Sequence, residues 1–432
     1  MARDLASVWH PFTQHALWAG DDPLVIDRAE GVWLYDSDGA RYLDGVSSLW
    51  VTVHGHREPA INEAIRAQLD RLDHATFLGL THEPGIALAE ALLAGAPSGL
   101  SRVFYAGDGA SAVEASLKMA FQFAAQRGES RPLFLSVAEG YHGDTLGAVS
   151  VGGIGLFSDT YRPILLETRQ IPSPGVGDGS PSQRAAASCA ALAQVMEREG
   201  ERVCAVIVEP MVQAAAGMLT HSADFLRGAR RCATAAGALL IADEVATGFG
   251  RTGRMWAVEH AEVAPDLLTC GKGLTGGYLP LSAVLATEEV YEAFLGSPST
   301  GRTFFHGHTY TANPLACAAA LANLTLMTER GTVARAAALG EQLAALLAPL
   351  AAEVSEIRRI GTMTGIDLGS HDPDRRVGAR VCRVARDRGV WVRPLGDVVV
   401  LMPPLAIHDD ELELLVDTVR DAVRQVRAEG AG

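Results

Sequence analysis

The chain has 432 residues, of which 48% are hydrophobic and 20% are charged, and its formal net charge at pH 7 is -15. A chain of this length and composition folds as a globular protein with a large core and has room for two domains. The acidic balance argues against non-specific attraction to nucleic acid or to anionic lipid, so we expect neither a nucleic-acid nor a membrane partner.

The first predicted elements are a strand, a turn and a second strand within residues 32–45. From there to about residue 324, short apolar runs alternate with helical patterns. The runs lack strict polar-apolar alternation, as expected of strands buried on both faces. They are RVFYA (102–106), PLFLSV (132–137), VCAVIVEP (203–210) and ALLIADE (238–244). This order predicts an α/β fold with a mostly parallel sheet, covered by helices, whose ligands bind at the carboxyl ends of the strands.

Two of the helical patterns place apolar residues on one face, which predicts that these residues are buried. They are Ile61, Ile65, Leu69 and Leu72 in the first pattern, and Val113, Leu117, Ala120 and Phe121 in the second.

The pattern changes after about residue 325. A long Ala/Leu helix at roughly 332–352 precedes strand-like stretches, and a final helix begins at Asp409 or Asp410. This end predicts a smaller α+β unit on which the amino-terminal strands pack. We therefore divide the chain into a large domain, 56–324, and a small domain formed by 1–55 and 325–432.

No leader or metal motif stands out. The amino-terminal stretch lacks an apolar segment of signal-peptide length, and apolar runs stay short of the roughly 18 residues of a membrane helix, which predicts a cytoplasmic location. Six cysteines are scattered without a CxxC pair. They indicate reduced, mostly buried thiols and neither a metal site nor a disulfide framework.

Two motifs suggest nucleotide chemistry but match its requirements incompletely. ALLIADE ends in two acids, as a magnesium-binding strand of a phosphate-loop ATPase does, but that site needs GxxxxGK[ST] and the chain offers only GKG at 271–273. GFGRTG at 248–253 satisfies GxGxxG, but five residues separate it from the strand, whereas a dinucleotide fingerprint lies in the tight strand-to-helix turn.

Lysine is scarce: the chain has 34 arginines and two lysines, Lys118 and Lys272. An arginine stays protonated and does not condense with an aldehyde, whereas the pKa of a lysine can be lowered by its site. Pyridoxal phosphate needs such a lysine, a carboxylate facing its pyridine nitrogen and donors for its phosphate. Lys272 and Asp243, which ends a buried strand, are the candidate pair. The alternatives are a surface lysine on a glycine-rich turn and an acid in a helix cap or salt bridge.

Two further segments suit the same cofactor. Residues 105–121 place a glycine-rich loop before a helix, whose first N–H groups can bind a phosphate; a simple turn is the alternative. EGYHGDT at 139–145 places Tyr141 and His142 between glycines, where an aromatic ring could lie over the cofactor; a core tyrosine is the alternative.

LLIADEVATGFGRTG, followed by PDLLTCGKGLTGGYLPLSAV, resembles the signature of the class III, or omega, aminotransferases, which are pyridoxal phosphate enzymes of fold type I. VWHPFTQ, DGVSSLWVTVHGH, EGYHGDTLGAVSVG, FFHGHTYTANPLACA and VWVRPLGDVVVLMPPL are similar to one branch of that family, the diaminononanoate synthases of biotin synthesis. The resemblance covers nearly the whole chain. It implies a seven-stranded sheet in the large domain and a small α+β domain built from both chain ends.

The resemblance also implies roles for individual residues. Lys272 bonds to the cofactor and moves a proton, Asp243 holds the pyridine nitrogen, and Tyr141 stacks on the ring. The other cofactor-binding positions are Gly109, Ala110, Glu209, His308 and Thr309, with Thr309 supplied by the neighbouring subunit of an expected homodimer. The other substrate-binding positions are Phe12, Leu49, Trp50, Gly307 and Arg393. Arg393 is implied to bind the substrate carboxylate, with a surface ion pair as the alternative.

The implied reaction converts 8-amino-7-oxononanoate to 7,8-diaminononanoate. Members that take the amino group from S-adenosylmethionine have Tyr, Trp-Trp and Tyr where this chain has Phe12, Leu49-Trp50 and Val400. Two aromatic hydroxyls and one indole are missing, which weakens the attraction for a sulfonium. We therefore expect lysine as the amino donor, with S-adenosylmethionine as the alternative. Another omega-amino acid transaminase or an aminomutase, and a nucleotide-binding protein, remain as alternative functions.

Overall fold

The computed structural model describes residues 2–430 and contains a seven-stranded sheet at its centre. Six strands run parallel, and Ser282–Thr287 runs antiparallel to both of its neighbours. The spatial order is Leu100–Ala106, Ser282–Thr287, Leu267–Cys270, Leu239–Asp243, Val203–Val208, Leu133–Val137 and Thr168–Ile171. The predicted α/β fold with a mostly parallel sheet is confirmed.

Helices cover both faces of this sheet because its strands carry apolar side chains on both sides. Leu240 and Ala242 belong to one core cluster, and Leu239 and Ile241 to another on the opposite face. This two-sided burial explains why the strands lack polar-apolar alternation. The α-helices are Ala2–Ser7, His15–Trp18, Ser47–Trp50, Pro59–Leu69, Glu83–Ala94, Gly109–Gln126, Leu146–Val151, Gly155–Ser158, Pro181–Glu199, Ala223–Ala236, Glu288–Glu292, Pro314–Glu329, Thr332–Leu347, Val377–Asp387 and Asp409–Gly430.

Two predicted core positions are exposed. Leu69 is the last residue of its helix and is 57% exposed, and Phe121 is 47% exposed. In the helix Gly109–Gln126 the buried face extends beyond the predicted stripe on the side away from Phe121, through Ala112, Ser116 and Phe123. Phe121 therefore lies beyond the edge of the buried arc, where periodicity alone could not exclude it.

Residues from both chain ends form one of the smaller sheets. Arg41–Asp44 pairs antiparallel with Trp33–Asp36 and parallel with Val390–Trp391, and Ile26–Glu30 completes this sheet. The other strands are Glu356–Ile360, Met363–Asp367, Val398–Leu401 and Arg393–Leu395 in a second four-stranded sheet, and Val212–Gln213 with Leu219–Thr220 in a ribbon. The helix Pro314–Glu329 continues across residues 324 and 325, and the division of the chain at that point stays a prediction.

A buried arginine joins both chain ends to the loop that follows the central strands. Arg251 is 1% exposed, and its Nη1 and Nη2 donate to the carbonyl oxygens of Pro403 and Thr52, each at 2.8 Å. Burial lowers the pKa of Arg251 to about 10, which still leaves it charged at neutral pH. Its two hydrogen bonds hold residues from opposite ends of the sequence beside one loop.

The segment Thr332–Leu350 is long and apolar enough to cross a membrane by length and composition, with a mean hydropathy of 1.2. Its residues Leu339, Leu343 and Leu347 are buried in the core that the chain ends build. Core helices of globular proteins pass the same test, so this segment gives weak evidence for a membrane span.

Candidate active site

A cavity of about 460 Å³ lies where the parallel strands of the large sheet end. Segments that directly follow five strands reach it, because the carboxyl ends of parallel strands meet at one edge of a sheet. Seven of the predicted site residues line this cavity: Trp50, Gly109, Ala110, Tyr141, Glu209, Asp243 and Lys272.

Asp243 is the last residue of the central strand and is 5% exposed. Its Oδ1 accepts hydrogen bonds from the backbone N–H of Val245 (3.1 Å) and from the hydroxyl of Thr269 (3.0 Å). Its Oδ2 lies 2.7 Å from Nδ1 of His142. A buried carboxylate with three hydrogen-bond partners has a fixed position, as a partner for a ring nitrogen must.

His142 and Thr269 are site residues that the sequence reasoning did not assign. Although burial alone would lower it, the hydrogen bond and charge of Asp243 raise the pKa of His142. Thr269 is fully buried in the strand Leu267–Cys270, next to Asp243 in the parallel register. A hydroxyl residue inside an otherwise apolar strand, followed three residues later by the rare lysine, was the available signal.

Lys272 follows that strand and has a φ of +42°, which is unusual for a residue with a Cβ atom. Its amine lies 5.1 Å from the centre of the Trp50 ring. Burial lowers the pKa of Lys272, while the charges of Asp243 and Glu209 oppose that shift. A lowered pKa increases the neutral, nucleophilic fraction of the amine at a given pH.

The loop before the helix Gly109–Gln126 forms a close-fitting cradle for an anion. The side chain of Asp108 caps this helix by accepting from the N–H of Ser111, while the N–H groups of the first helical residues have no partner within the helix. A Cβ atom on Gly109 would lie 2.7 Å from Val245, and one on Gly143 would lie 2.4 Å from the Cβ atom of Ala110. Two glycines therefore let three backbone segments meet at the cavity wall.

Tyr141 forms another wall. Its backbone N–H donates to Glu209 and its hydroxyl donates to Asp144, both at 2.9 Å. Its ring meets Phe157 edge-on with 5.8 Å between centroids, and Phe157 meets Phe12 edge-on at 5.4 Å. Phe12, which is 64% exposed, thus reaches Tyr141 through one intervening ring and lies outside the cavity itself.

Glu209 is buried below Tyr141. Besides the Tyr141 N–H it accepts from the N–H of Ala214 at 3.1 Å. Burial raises the pKa of Glu209 to about 7, although His142 and the two backbone donors oppose the shift. The site thus contains a second carboxyl whose proton is exchangeable near neutral pH.

The remaining predicted site residues lie elsewhere in this chain. Leu49 is 48% exposed, and Arg393 lies in an outer strand of the small sheet, where burial lowers its pKa. The loop residues Gly307 and Thr309 are exposed and do not line the cavity. The ring of His308 packs beside Gly107, which precedes the anion cradle.

The donor set fits pyridoxal phosphate. One lysine amine with a lowered pKa, one fixed carboxylate, a helix start and an aromatic ring surround a single cavity, and these are the groups that this cofactor requires. The fit depends on residues from five strand ends, so an accidental arrangement of polar groups would not supply it.

Comparisons with known proteins identify related chains. A family model for aminotransferase class III matches residues 16–423. The adenosylmethionine-8-amino-7-oxononanoate aminotransferase of Nitratidesulfovibrio vulgaris is 51% identical over 444 residues, covering 99% of this chain and 82% of that protein. The crystal structure of the protein of the same name from Methanocaldococcus jannaschii matches with a TM-score of 0.94 and 37% identity, over 98% of each chain. A PLP-bound amine transaminase from an uncultivated Pseudomonas species matches with a TM-score of 0.91 and 36% identity, over 97% of this chain and 98% of that one.

Replacing Gly143 by alanine is expected to weaken cofactor binding by about tenfold or more, because the new Cβ atom would force the loop away from Ala110. Titration of the cofactor-free protein with pyridoxal phosphate, followed by absorbance, measures the change. Gly128→Ala is the matched control, since Gly128 also has a positive φ but meets nothing within 4 Å. An equal loss of cofactor affinity in both variants would indicate backbone strain as the cause and contradict a collision between the new Cβ atom and Ala110.

The buried carboxyl of Glu244, in the loop that follows Asp243, makes the stability of the protein depend on pH. It is fully buried, accepts from the N–H of Val258 at 2.8 Å and from the hydroxyl of Thr247, and burial raises its pKa from an ordinary value near 4.5 to about 7. Its stabilising contribution is therefore complete below pH 4.5 and is lost as the pH rises to 7. Glu244→Gln cannot ionise; its amide oxygen can accept from the Val258 N–H and its NH2 can donate to the Thr247 hydroxyl oxygen. Its stability relative to the wild type should therefore rise by up to about 3 kcal/mol across that interval.

Calorimetric unfolding of both proteins from pH 4.5 to 8 measures this difference. Glu353→Gln is the control, because the hydrogen bond with Arg424 lowers the pKa of Glu353, so its pH-dependent contribution lies mainly below pH 4.5 and its difference should stay nearly constant over this interval. A Glu244→Gln difference that stays constant with pH would contradict the buried, proton-retaining carboxyl.

Proposed function

The chain belongs to the class III aminotransferases, and from that premise we propose that it converts 8-amino-7-oxononanoate to 7,8-diaminononanoate in biotin synthesis. Its activity is that of an aminotransferase and its cofactor is pyridoxal phosphate. The observation that carries the proposal is the single cavity in which Lys272 and Asp243 meet. The names of relatives that cover nearly the whole chain supply the substrate.

The residues divide the work of amino transfer. When bound, pyridoxal phosphate supplies an aldehyde for amino groups and a ring that withdraws electrons. Lys272 would hold the cofactor through its amine and, when that amine is free, would take up and return the proton at the substrate carbon. Asp243 would face the ring nitrogen, and the contact with His142 holds that carboxylate in place. The helix start at Gly109 and Ala110 would bind the phosphate.

Trp50 and Tyr141 shape the space for the substrate. Trp50 is 7% exposed and has a φ of +67°, so the backbone turns sharply to place its indole beside the amine of Lys272. Tyr141 also lines the cavity and is fixed at its backbone and its hydroxyl. The Trp50 ring beside the reacting amine helps to exclude water, and burial lowers the pKa of that amine.

The proposed amino donor is lysine, with S-adenosylmethionine as the alternative. Phe12 carries no hydroxyl and approaches the cavity through Phe157, and the Leu49-Trp50 pair presents one indole to it. Both features lower the attraction for a sulfonium cation. Val400 adds little to this argument, because it is 1% exposed in the small-domain core and does not line the cavity.

A homodimer in the cytoplasm completes the proposal. Gly307 and Thr309 lie outside the cavity of their own chain, so they serve a site only if a second copy carries them to it. Large apolar side chains surround this loop: Leu78, Phe305 and Tyr310 are 64%, 80% and 65% exposed. A partner copy would remove this apolar surface from water.

An omega-amino acid transaminase is the second candidate, since structures named amine and omega transaminases match the fold closely. Activity with 8-amino-7-oxononanoate distinguishes the two, because an enzyme specific for other amines would leave this keto substrate unchanged.

Lys272→Arg and Lys272→Ala are expected to lower turnover at least about a thousandfold, because neither side chain supplies an amine that can lose its proton and bond to an aldehyde. Circular dichroism checks that the fold is kept. Lys118→Arg is the matched control, since it removes the other lysine of the chain while keeping a cation beside His306. Borohydride treatment of the wild type should fix the cofactor on Lys272 in peptide mass spectra; cofactor fixed on Lys118, or wild-type rates in Lys272→Ala, would refute the assignment.

The donor is tested by a half-reaction with the cofactor-loaded enzyme. Lysine and S-adenosylmethionine are added in turn, without keto substrate, and the cofactor absorbance is followed. We expect lysine to convert the cofactor to its amine form at least about tenfold faster per mole, since the site has few groups that favour a sulfonium. Conversion by S-adenosylmethionine alone would reverse the donor assignment and leave the rest of the proposed function intact.

A further inference from the structure

A second cavity, of about 270 Å³, opens at the start of the helix Thr332–Leu347. None of its wall residues lines the cofactor cavity. They come from three distant stretches of sequence: His54; Arg330, Thr332 and Arg335; and residues 405–408. Both chain ends and a helix start therefore meet around one space that the aminotransferase mechanism does not use.

Polar groups at this cavity lack partners among residues 2–430. Thr332 is 5% exposed and its hydroxyl makes no hydrogen bond with these residues. The residue before the helix is Gly331, which has no side chain to accept the first N–H groups. An N–H-rich helix start beside the unpaired hydroxyl of a largely buried residue that lines the cavity is suited to an oxyanion.

His54 adds a hydrogen-bond acceptor to this set of donors. It is 6% exposed, and its Nε2 lies 3.3 Å from the carbonyl oxygen of Asn323. A carbonyl oxygen only accepts, so Nε2 carries the hydrogen and the Nδ1 of a neutral imidazole is left as an acceptor. Burial lowers the pKa of His54, which favours this neutral form. Within the described chain, Nδ1 has no hydrogen-bond donor.

The charges around the cavity are nearly balanced. Arg330 forms a two-pronged pair with Glu58, with both distances 2.9 Å, and Arg335 donates to Asp409 at 2.6 Å and to the carbonyl of Ile407 at 3.0 Å. Each guanidinium has five N–H donors and keeps some for a ligand. With two cations and two carboxylates paired, the helix start supplies the remaining positive potential, which suits an anion of low charge.

We infer that this cavity binds a phosphate group that retains a proton. Its oxygens accept from the helix N–H groups, the Thr332 hydroxyl and the arginines, while its P–OH donates to Nδ1 of His54. Sulfate has the same shape but carries no proton at neutral pH, so it offers a lone pair where His54 also has one. The site therefore discriminates phosphate from sulfate, and occupancy ties both chain ends to the start of the helix.

The test uses the holoenzyme with saturating pyridoxal phosphate, so that the cofactor phosphate position is filled. Inorganic phosphate, glycerol 3-phosphate and sulfate are titrated at matched ionic strength by calorimetry, with the cofactor absorbance recorded throughout. We expect saturable binding of phosphate and at least about tenfold weaker binding of sulfate. Tighter binding of the ester identifies an esterified phosphate as the ligand, and tighter binding of the inorganic ion identifies the free one. Equal affinity for sulfate, or binding that accompanies loss of cofactor, would overturn the inference.

Variants assign the binding to this cavity. Thr332→Val removes one hydroxyl at nearly constant volume and should weaken phosphate binding about fivefold. Thr325→Val is the matched control, because Thr325 is exposed and bonds only to the carbonyl of Leu321 in its own helix. His54→Phe should abolish the preference for phosphate over sulfate; if it does not fold, Thr332→Val alone decides. Unchanged phosphate affinity in Thr332→Val would refute the site.

Discussion

The active-site cavity depends on holding the charge of Asp243 inside an otherwise apolar sheet. Its carboxylate is 5% exposed and is held by a backbone N–H, by Thr269 and by His142. These three partners satisfy the hydrogen-bonding needs of the buried carboxylate and fix its position. Burial lowers the pKa of the Lys272 amine, and the nearby charge of Asp243 opposes this shift. The amine, the acid and their supports therefore form one electrostatic unit, which is built where parallel strands end because only there do so many loops converge.

The large sheet and the chain ends contribute different things to this unit. Strand ends supply Asp243, Lys272, Glu209 and the anion cradle, whereas the amino-terminal segment supplies Trp50. Arg251 is the link between these parts, because it donates from the loop after the central strand to the carbonyls of Thr52 and Pro403. The indole of Trp50 is therefore only two residues from Thr52, which Arg251 holds together with Pro403 near the opposite end of the chain.

Sequence reasoning predicted the fold because the central strands are apolar on both faces and the helices between them are amphipathic. The rarity of lysine, together with an acid at a strand end, indicated the chemistry of the site. Thr269 was not singled out, and Glu244 was noted only as the second acid after a strand, because their importance depends on strand register and on a loop that folds back, which spacing along the chain does not specify. Hydrophobic periodicity also could not predict that Gly307 and Thr309 lie exposed, since their proposed roles require a second copy of the chain.

The parallel pairing of Arg41–Asp44 with Val390–Trp391 has a consequence for synthesis on the ribosome. The four-stranded sheet that contains Arg41–Asp44 cannot be completed until nearly the whole chain has been made. Arg251 likewise cannot donate to the carbonyl oxygen of Pro403 before that residue has been synthesised. Contacts of such long sequence separation form late and slowly. The edge of Arg41–Asp44 that pairs with Val390–Trp391 must therefore stay open during translation, when the nascent chain is most accessible to chaperones and to aggregation.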